Sequence, residues 1–210
     1  MQSISRPLAA LALTLAAATA LHAQEGKRPA SWKVRYDSPK ADDAKTEFVT
    51  MSPGWHLTTG PNAGIFYDAA TTGTGPYTAE AKIHLFKPTM SHAEAYGLFV
   101  GGKDLEGAGQ SYLYFLLRTD GKFLVKQRTG AEVKEVVPVG TNAAIKPYEA
   151  GKESVANVLA IKVGAENVEF LVNGTTVATK PKAGLHTDGV VGLRVNHALN
   201  LHVESVKVTK

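Results

Sequence analysis

Residues 77–86 read YTAEAKIHLF, with Ala79, Ala81, Ile83 and Leu85 at every second position and Glu80, Lys82, His84 and Phe86 between them. A period of two lines one side of an extended strand with apolar groups and wets the other; a helix would scatter the same residues around its axis. Segments of this kind recur along the chain, short and bounded by turn residues, and no segment carries a helical period. AYGLFVGG (95–102) is apolar throughout and ends in glycines. YLYFLLRTDGKFLVKQR (112–128) folds back around Asp120-Gly121, and VLAIKVGAENVEFLVNGTTVATK (158–180) turns at 164–167 and at Asn173-Gly174. Asn-Gly suits a two-residue hairpin because both residues tolerate positive φ. Many short antiparallel strands without helices predict an all-β protein, a sandwich or a barrel.

Register follows from sorting the faces. In 112–128, a three-residue loop Thr119-Asp120-Gly121 opposes Leu117 to Phe123 and Phe115 to Val125. Leu113, Phe115, Leu117, Phe123 and Val125 then point inward, and Tyr112, Tyr114, Arg118, Lys126 and Arg128 outward. A two-residue turn would mix the faces, because one residue of slip inverts a strand. The same treatment of VVGLRVNHALNLHVESVKV (190–208) predicts a hairpin through Ala198-Leu199-Asn200, with Asn200 left-handed. Arg194 would stand opposite Glu204 and Asn196 opposite His202, pairs contributing roughly 0.2–1 kcal/mol each without any ligand.

The N-terminus has its own pattern. MQSISRPLAALALTLAAATALHAQ places one positive charge, Arg6, before an apolar run and small residues ending at Ala23. This is the layout of a secretory signal, with cleavage expected after Ala23 and Ala20 as second choice. The run of about 14 residues is shorter than the roughly 20 a spanning helix needs. No later apolar stretch is long enough either, so no membrane span is expected, and the mature chain should be soluble and periplasmic or secreted. Residues 24–45 are polar and contain proline; they read as an N-terminal segment with one strand near Trp32–Tyr36. One domain is expected over 46–210. The formal net charge of +4 falls to +3 without Arg6. So mild and dispersed an excess is no footprint for nucleic acid. The chain has no cysteine, hence no disulfide and no lipidated-cysteine anchor.

GWHLTTGPNAGIFYD (54–68), residues 95–128, VEFLVNGTTVA (168–178) and GVVGLRVNHALNLHVESVKV (189–208) together resemble exported bacterial domains of the concanavalin A-like lectin/glucanase superfamily. The nearest likeness is to its laminin-G-like, 3-keto-disaccharide-hydrolase-like group, and it covers roughly 46–208. It implies a jelly-roll sandwich of two antiparallel sheets, one of them frequently used for glycans. It also implies a calcium ion at the rim, for which GGKDLEGAGQ (101–110) offers Asp104, Glu106 and Gln110, all hard oxygen donors.

The residues themselves narrow the chemistry. The Glu-x-Asp-x-Glu strand of a family 16 glucanase, which would set two carboxylates on one face, is absent from the chain. Tyr112, Tyr114, Lys126 and Arg128 form the first candidate recognition surface, because sugar rings stack on aromatic faces and cations donate to hydroxyls, uronates or sulfates. Arg194, Asn196 and Trp55 are further ligand-binding candidates, and His197 leans inward in the expected register. If the resemblance to a hydrolase of oxidised (3-keto) glycosides holds, Glu80, His84, His56 or His202 would move the proton, since a keto group acidifies its neighbouring C–H. His92 and Glu94 stand two apart, a spacing compatible with a metal or an acid/base pair, but with no third ligand spaced nearby zinc is not expected. The expectation is therefore a carbohydrate-binding domain. A hydrolase and a non-catalytic cell-envelope interaction domain are the alternatives, the last to be marked by an exposed apolar patch.

Overall fold

A computed structural model describes residues 26–210. The secretory signal and both cleavage positions lie outside the described residues. Fourteen strands follow in order: β1 (Trp32–Tyr36), β2 (Glu47–Thr50), β3 (Trp55–Thr58), β4 (Gly64–Gly73), β5 (Tyr77–Phe86), β6 (Ala95–Lys103), β7 (Ser111–Arg118), β8 (Lys122–Thr129), β9 (Glu132–Thr141), β10 (Ser154–Val163), β11 (Asn167–Val172), β12 (Thr175–Pro181), β13 (Gly189–Val195) and β14 (Asn200–Thr209). They form two seven-stranded sheets, ordered β1-β4-β13-β6-β7-β8-β9 and β12-β11-β10-β5-β14-β3-β2. Every pairing is antiparallel. A 3₁₀ turn at Asp43–Lys45 is the one helical element among the described residues.

The core lies between the sheets, and period-two alternation fills it. Ala79, Ala81, Ile83 and Leu85 of β5 meet Leu113, Phe115 and Leu117 of β7 and Phe123 and Val125 of β8, all buried. The β7–β8 hairpin has the expected register, Leu117 opposite Phe123 and Phe115 opposite Val125. Gly121 adopts φ +77°, the left-handed conformation the three-residue loop requires. Asn173 and Gly174 likewise sit at φ +49° and +81° between β11 and β12.

Two expectations are corrected. β13 and β14 are not a hairpin: β13 pairs with β4 and β6 in the first sheet, and β14 with β3 and β5 in the second. Residues 196–199 carry the chain across the sandwich, and Ala198 rather than Asn200 is left-handed, φ +54°. The corner is fastened from inside. The Thr59 hydroxyl donates to the Asn196 carbonyl at 2.8 Å and accepts from the Leu199 N–H at 3.0 Å, and Leu199 is buried. Second, the sandwich does not begin at residue 46. β1 pairs along its whole length with β4 as an edge strand, and Trp32 packs on Phe48 and Trp55 of the other sheet.

Candidate functional site

The outer face of the first sheet gathers five of the seven ligand-binding candidates, Tyr112, Tyr114, Lys126, Arg128 and Arg194. Alternation along β1 points Lys33 and Arg35 outward, with Asp37 next in the series. β4 contributes Ile65 and Tyr67, β7 contributes Tyr112 and Tyr114, and β8 contributes Lys126 and Arg128. Arg194 of β13 stands opposite Ile65, which in turn opposes Arg35, so two guanidiniums flank one isoleucine across three strands. Tyr112 and Tyr114 stand opposite Arg128 and Lys126. The Tyr112/Tyr114 row and Arg194 therefore share one surface.

Asp37 is its hub. Arg194 grips the carboxylate with both terminal nitrogens, Nη1 to Oδ1 at 3.0 Å and Nη2 to Oδ2 at 2.5 Å, the planar fork geometry that gives such pairs their direction. Arg128 Nη1 lies 3.6 Å from the same carboxylate, while its Nε donates to the Gly130 carbonyl at 3.0 Å. Arg35 donates to the carbonyls of Leu105 and Gly107 at 2.7 and 2.6 Å. With its amide oxygen turned toward these cations, Gln110 accepts from Arg128 Nε and Arg35 Nη2, both at 3.2 Å. Two guanidiniums thus meet one carboxylate, a third, Arg35, joins them through Gln110, and Arg194 Nε is buried without a protein partner. The face keeps an excess of positive charge and of hydrogen-bond donors.

Tyr112 and Tyr114 point outward as expected, yet they are not an exposed stacking row. They are 1% and 8% accessible, with ring centroids 5.6 Å apart and Phe99 packed on Tyr112 at 5.3 Å. Long side chains on neighbouring strands cover an outward position as thoroughly as a second sheet does. Burial raises both phenols, Tyr114 to about 12, against the opposing pull of the Arg194 charge, so both are neutral hydroxyls at physiological pH. They form an apolar floor beneath the guanidinium layer, and direct stacking of a sugar on Tyr112 is corrected to packing within that floor.

Trp55 is half-buried rather than an open platform. Its ring lies 4.6 Å from Trp32 and against the core, and serves as an anchor between sheets. Asn196 lies in the crossing, its N–H bonded to the Ala95 carbonyl at 2.9 Å. Glu204 is not the partner of Arg194. It binds Lys82 at 2.7 Å and His84 at 2.6 Å on the outer face of the second sheet, and those two, Lys82 first, hold its carboxyl below the usual range. His202 stands directly opposite both His56 and His84, making a three-histidine row across β3, β14 and β5. Glu80, exposed, stands opposite Lys207 two residue pairs beyond Lys82 on β5. The catalytic candidates Glu80, His84, His56 and His202 therefore share the second sheet, not the arginine face.

The loop considered for calcium closes on itself. Asp104, at φ +47°, accepts from the Gly109 N–H at 3.0 Å, while Glu106 is bound by Lys33 and accepts from Tyr67 at 3.5 Å. Asp37 was not singled out in the sequence. Its only signal there is its place two residues after Arg35 in an alternating strand, within a segment that reads as a polar tail.

No protein-family model and no curated protein sequence matches the chain. Solved structures do. The carbohydrate-binding module CBM66 from Bacillus subtilis superposes with a TM-score of 0.61 at 10% identity, covering 86% of this chain and 96% of that one. A Bacillus licheniformis β-glucanase gives 0.59 at 12% identity over 89% and 96%. The carbohydrate recognition domain of Emp46p, in a metal-free form, gives 0.57 at 11% identity over 85% and 88%. At such identities the likeness is one of fold alone, an antiparallel jelly-roll β-sandwich as expected from the sequence.

Proposed function

We propose that this is an exported carbohydrate-binding domain that holds a glycan on the outer face of the first sheet. The observation carrying the reading is the Asp37–Arg194–Arg128–Gln110–Arg35 network laid over the buried Tyr112 and Tyr114. Adjacent sugar hydroxyls each need a donor and an acceptor, and a carboxylate beside a guanidinium supplies both. Three arginines to one aspartate favour a sugar carrying a carboxylate or sulfate. The fold supports the reading, since a carbohydrate-binding module and a carbohydrate recognition domain share it. Lys126 stands at the edge of the face, opposite Glu135 as well as Tyr114.

Saturation-transfer NMR of the mature protein against neutral and uronate-containing disaccharides tests this. Transfer to the uronate sugars, lost in Arg128→Ala with normal melting, is the expected result; equal transfer in the variant would sink the site. A second reading, hydrolysis of 3-keto glycosides, draws on the 2.6 Å contact between His84 and Glu204. Its test is the same sample followed over hours with a 3-keto disaccharide, where new anomeric signals would mark turnover. The third, an interaction domain, needs an apolar surface. Met51, Met90, Val133 and Val139 are the large apolar residues exposed among the described residues, and they are spread over three segments.

A further inference from the structure

We propose that His92, Glu94 and His197 form a binding site for a zinc-type divalent cation at the corner where the β5–β6 loop meets the crossing from β13 to β14. His92 Nε2 lies 2.8 Å and His197 Nε2 3.0 Å from Glu94 Oε1, and the two nitrogens are 3.4 Å apart. Zinc bonds of about 2.0–2.1 Å in a tetrahedron set neighbouring ligand atoms roughly 3.3 Å apart. A triangle with edges of 2.8, 3.0 and 3.4 Å is one face of such a tetrahedron after small side-chain adjustments. Imidazole nitrogens with a carboxylate oxygen are the donor set for a borderline first-row ion, not for calcium or magnesium.

Burial and backbone agree. The Glu94 side chain is 6% accessible, His197 35% and His92 55%, so the charged ligand forms the base and the fourth position opens to solvent. Three protein ligands with an open fourth position is the pattern of a zinc site that also receives water or a small ligand. Glu94 is held by exchange with Thr119: its N–H bonds the hydroxyl at 3.2 Å and its carbonyl accepts the Thr119 N–H at 2.9 Å. On the other side, the Asn196 N–H reaches the Ala95 carbonyl at 2.9 Å and Ala198 N–H the Gly60 carbonyl at 2.9 Å, which fixes the segment bearing His197. Arg118, whose charge acts on Glu94, is tied to Asp120 at 3.0 and 2.8 Å. The site lies just outside the ends of β6 and β13 and shares no residue with the proposed glycan face, so it does not depend on that reading.

The competing arrangement is a hydrogen-bonded clamp in which both imidazole N–H groups donate to one carboxylate. Calorimetric titration of the chelator-stripped mature protein with zinc chloride separates the two, with cobalt absorption as a second signal. One equivalent should bind, with a four-coordinate cobalt spectrum. His92→Ala, a change at an exposed residue, and His197→Ala should each weaken binding by at least about tenfold, the lower end of what loss of an outer-shell partner does. His202→Ala, in the histidine row of the second sheet, should leave stoichiometry and affinity unchanged. No binding up to roughly millimolar zinc, undiminished binding in His92→Ala, or loss in His202→Ala would each overturn the proposal.

Discussion

Arg194 shows what one residue in the pattern reveals and what it hides. Alternation in 190–208 correctly marks it as an outward residue of a strand. Its partner is Asp37, 157 residues away and in another strand's sequel, and no local pattern points there. Because Arg194 is 8% accessible, its charge depends on that carboxylate. Removing one partner of a buried pair leaves an uncompensated ion, at a cost of about 3–5 kcal/mol when both are enclosed. Asp37 is 38% exposed, so Asp37→Ala is expected to lose somewhat less, about 2–3 kcal/mol, or a Tm lower by roughly 5–10 °C. Thermal denaturation followed by circular dichroism decides it, and an unchanged Tm would mean that solvent alone satisfies Arg194. Trp55 and Tyr112 carry the same lesson. Residue type and alternation give direction, whereas accessibility depends on what neighbouring strands lay over a side chain.

At the scale of elements, hairpins closed by short loops were legible because the turn and the two faces constrain each other. The β7–β8 register follows from Gly121 and the sorting of Phe115, Leu117, Phe123 and Val125. The crossing at 196–199 has the same local appearance in the sequence, since apolar residues alternate on both sides of it; which sheet each strand joins is set by β4, β6, β3 and β5, far off in sequence. The Asn173-Gly174 turn does more than reverse the chain. The Asn173 side chain accepts from the Val158 N–H at 2.9 Å and donates to the Ala144 carbonyl at 2.7 Å and to Asn157 at 2.8 Å. Asn173→Gly keeps the positive φ and loses only those bonds, about 1–3 kcal/mol. Asn173→Ala adds about 1–2 kcal/mol of left-handed strain. Urea denaturation of the two variants should therefore rank Gly above Ala, and the reverse order would show that the backbone relaxes. The histidine row makes an element-level prediction as well. Desolvation holds the His202 imidazole below its ordinary value; the His84 and His56 rings add to this, while the Pro53 backbone and Glu204 oppose it. A histidine with a depressed folded pKa contributes stability that is whole above the unfolded value near 6.5 and is lost as pH falls through it toward the folded value. Between pH 7.5 and 5, wild type should lose stability more steeply than His202→Gln. Parallel curves would assign the acid sensitivity elsewhere, His186 being the other imidazole lowered by burial.

For the whole molecule, the decisive question is what the sandwich needs to close. Sequence composition sets residues 24–45 apart as polar, and a domain drawn from 46 onward looks self-sufficient. The structure distributes essential parts across that boundary. β1 caps the free edge of β4, Trp32 and Val34 pack on the common core, and Asp37 organises the arginine face. A chain beginning at Thr46 would expose Phe48, now 2% accessible, together with the backbone groups of β4, and would leave Arg194 without its counter-ion. Burial of large apolar side chains is worth about 1.5–3 kcal/mol each when complete. Trp32 and Val34 are only half-buried, so the loss from packing and the ion pair together is expected to reach roughly 4–6 kcal/mol. In a domain of this size that lowers Tm by roughly 10 °C or more. An unpaired β4 edge is also a template for association, so the shortened chain should form oligomers on a sizing column where the chain from Gln24 runs as a single species. If instead the two chains melt within about 3 °C of each other and both recognise the same glycan, β1 and Asp37 are dispensable. The recognition surface would then be Arg128, Arg35-independent, on β7 and β8 alone.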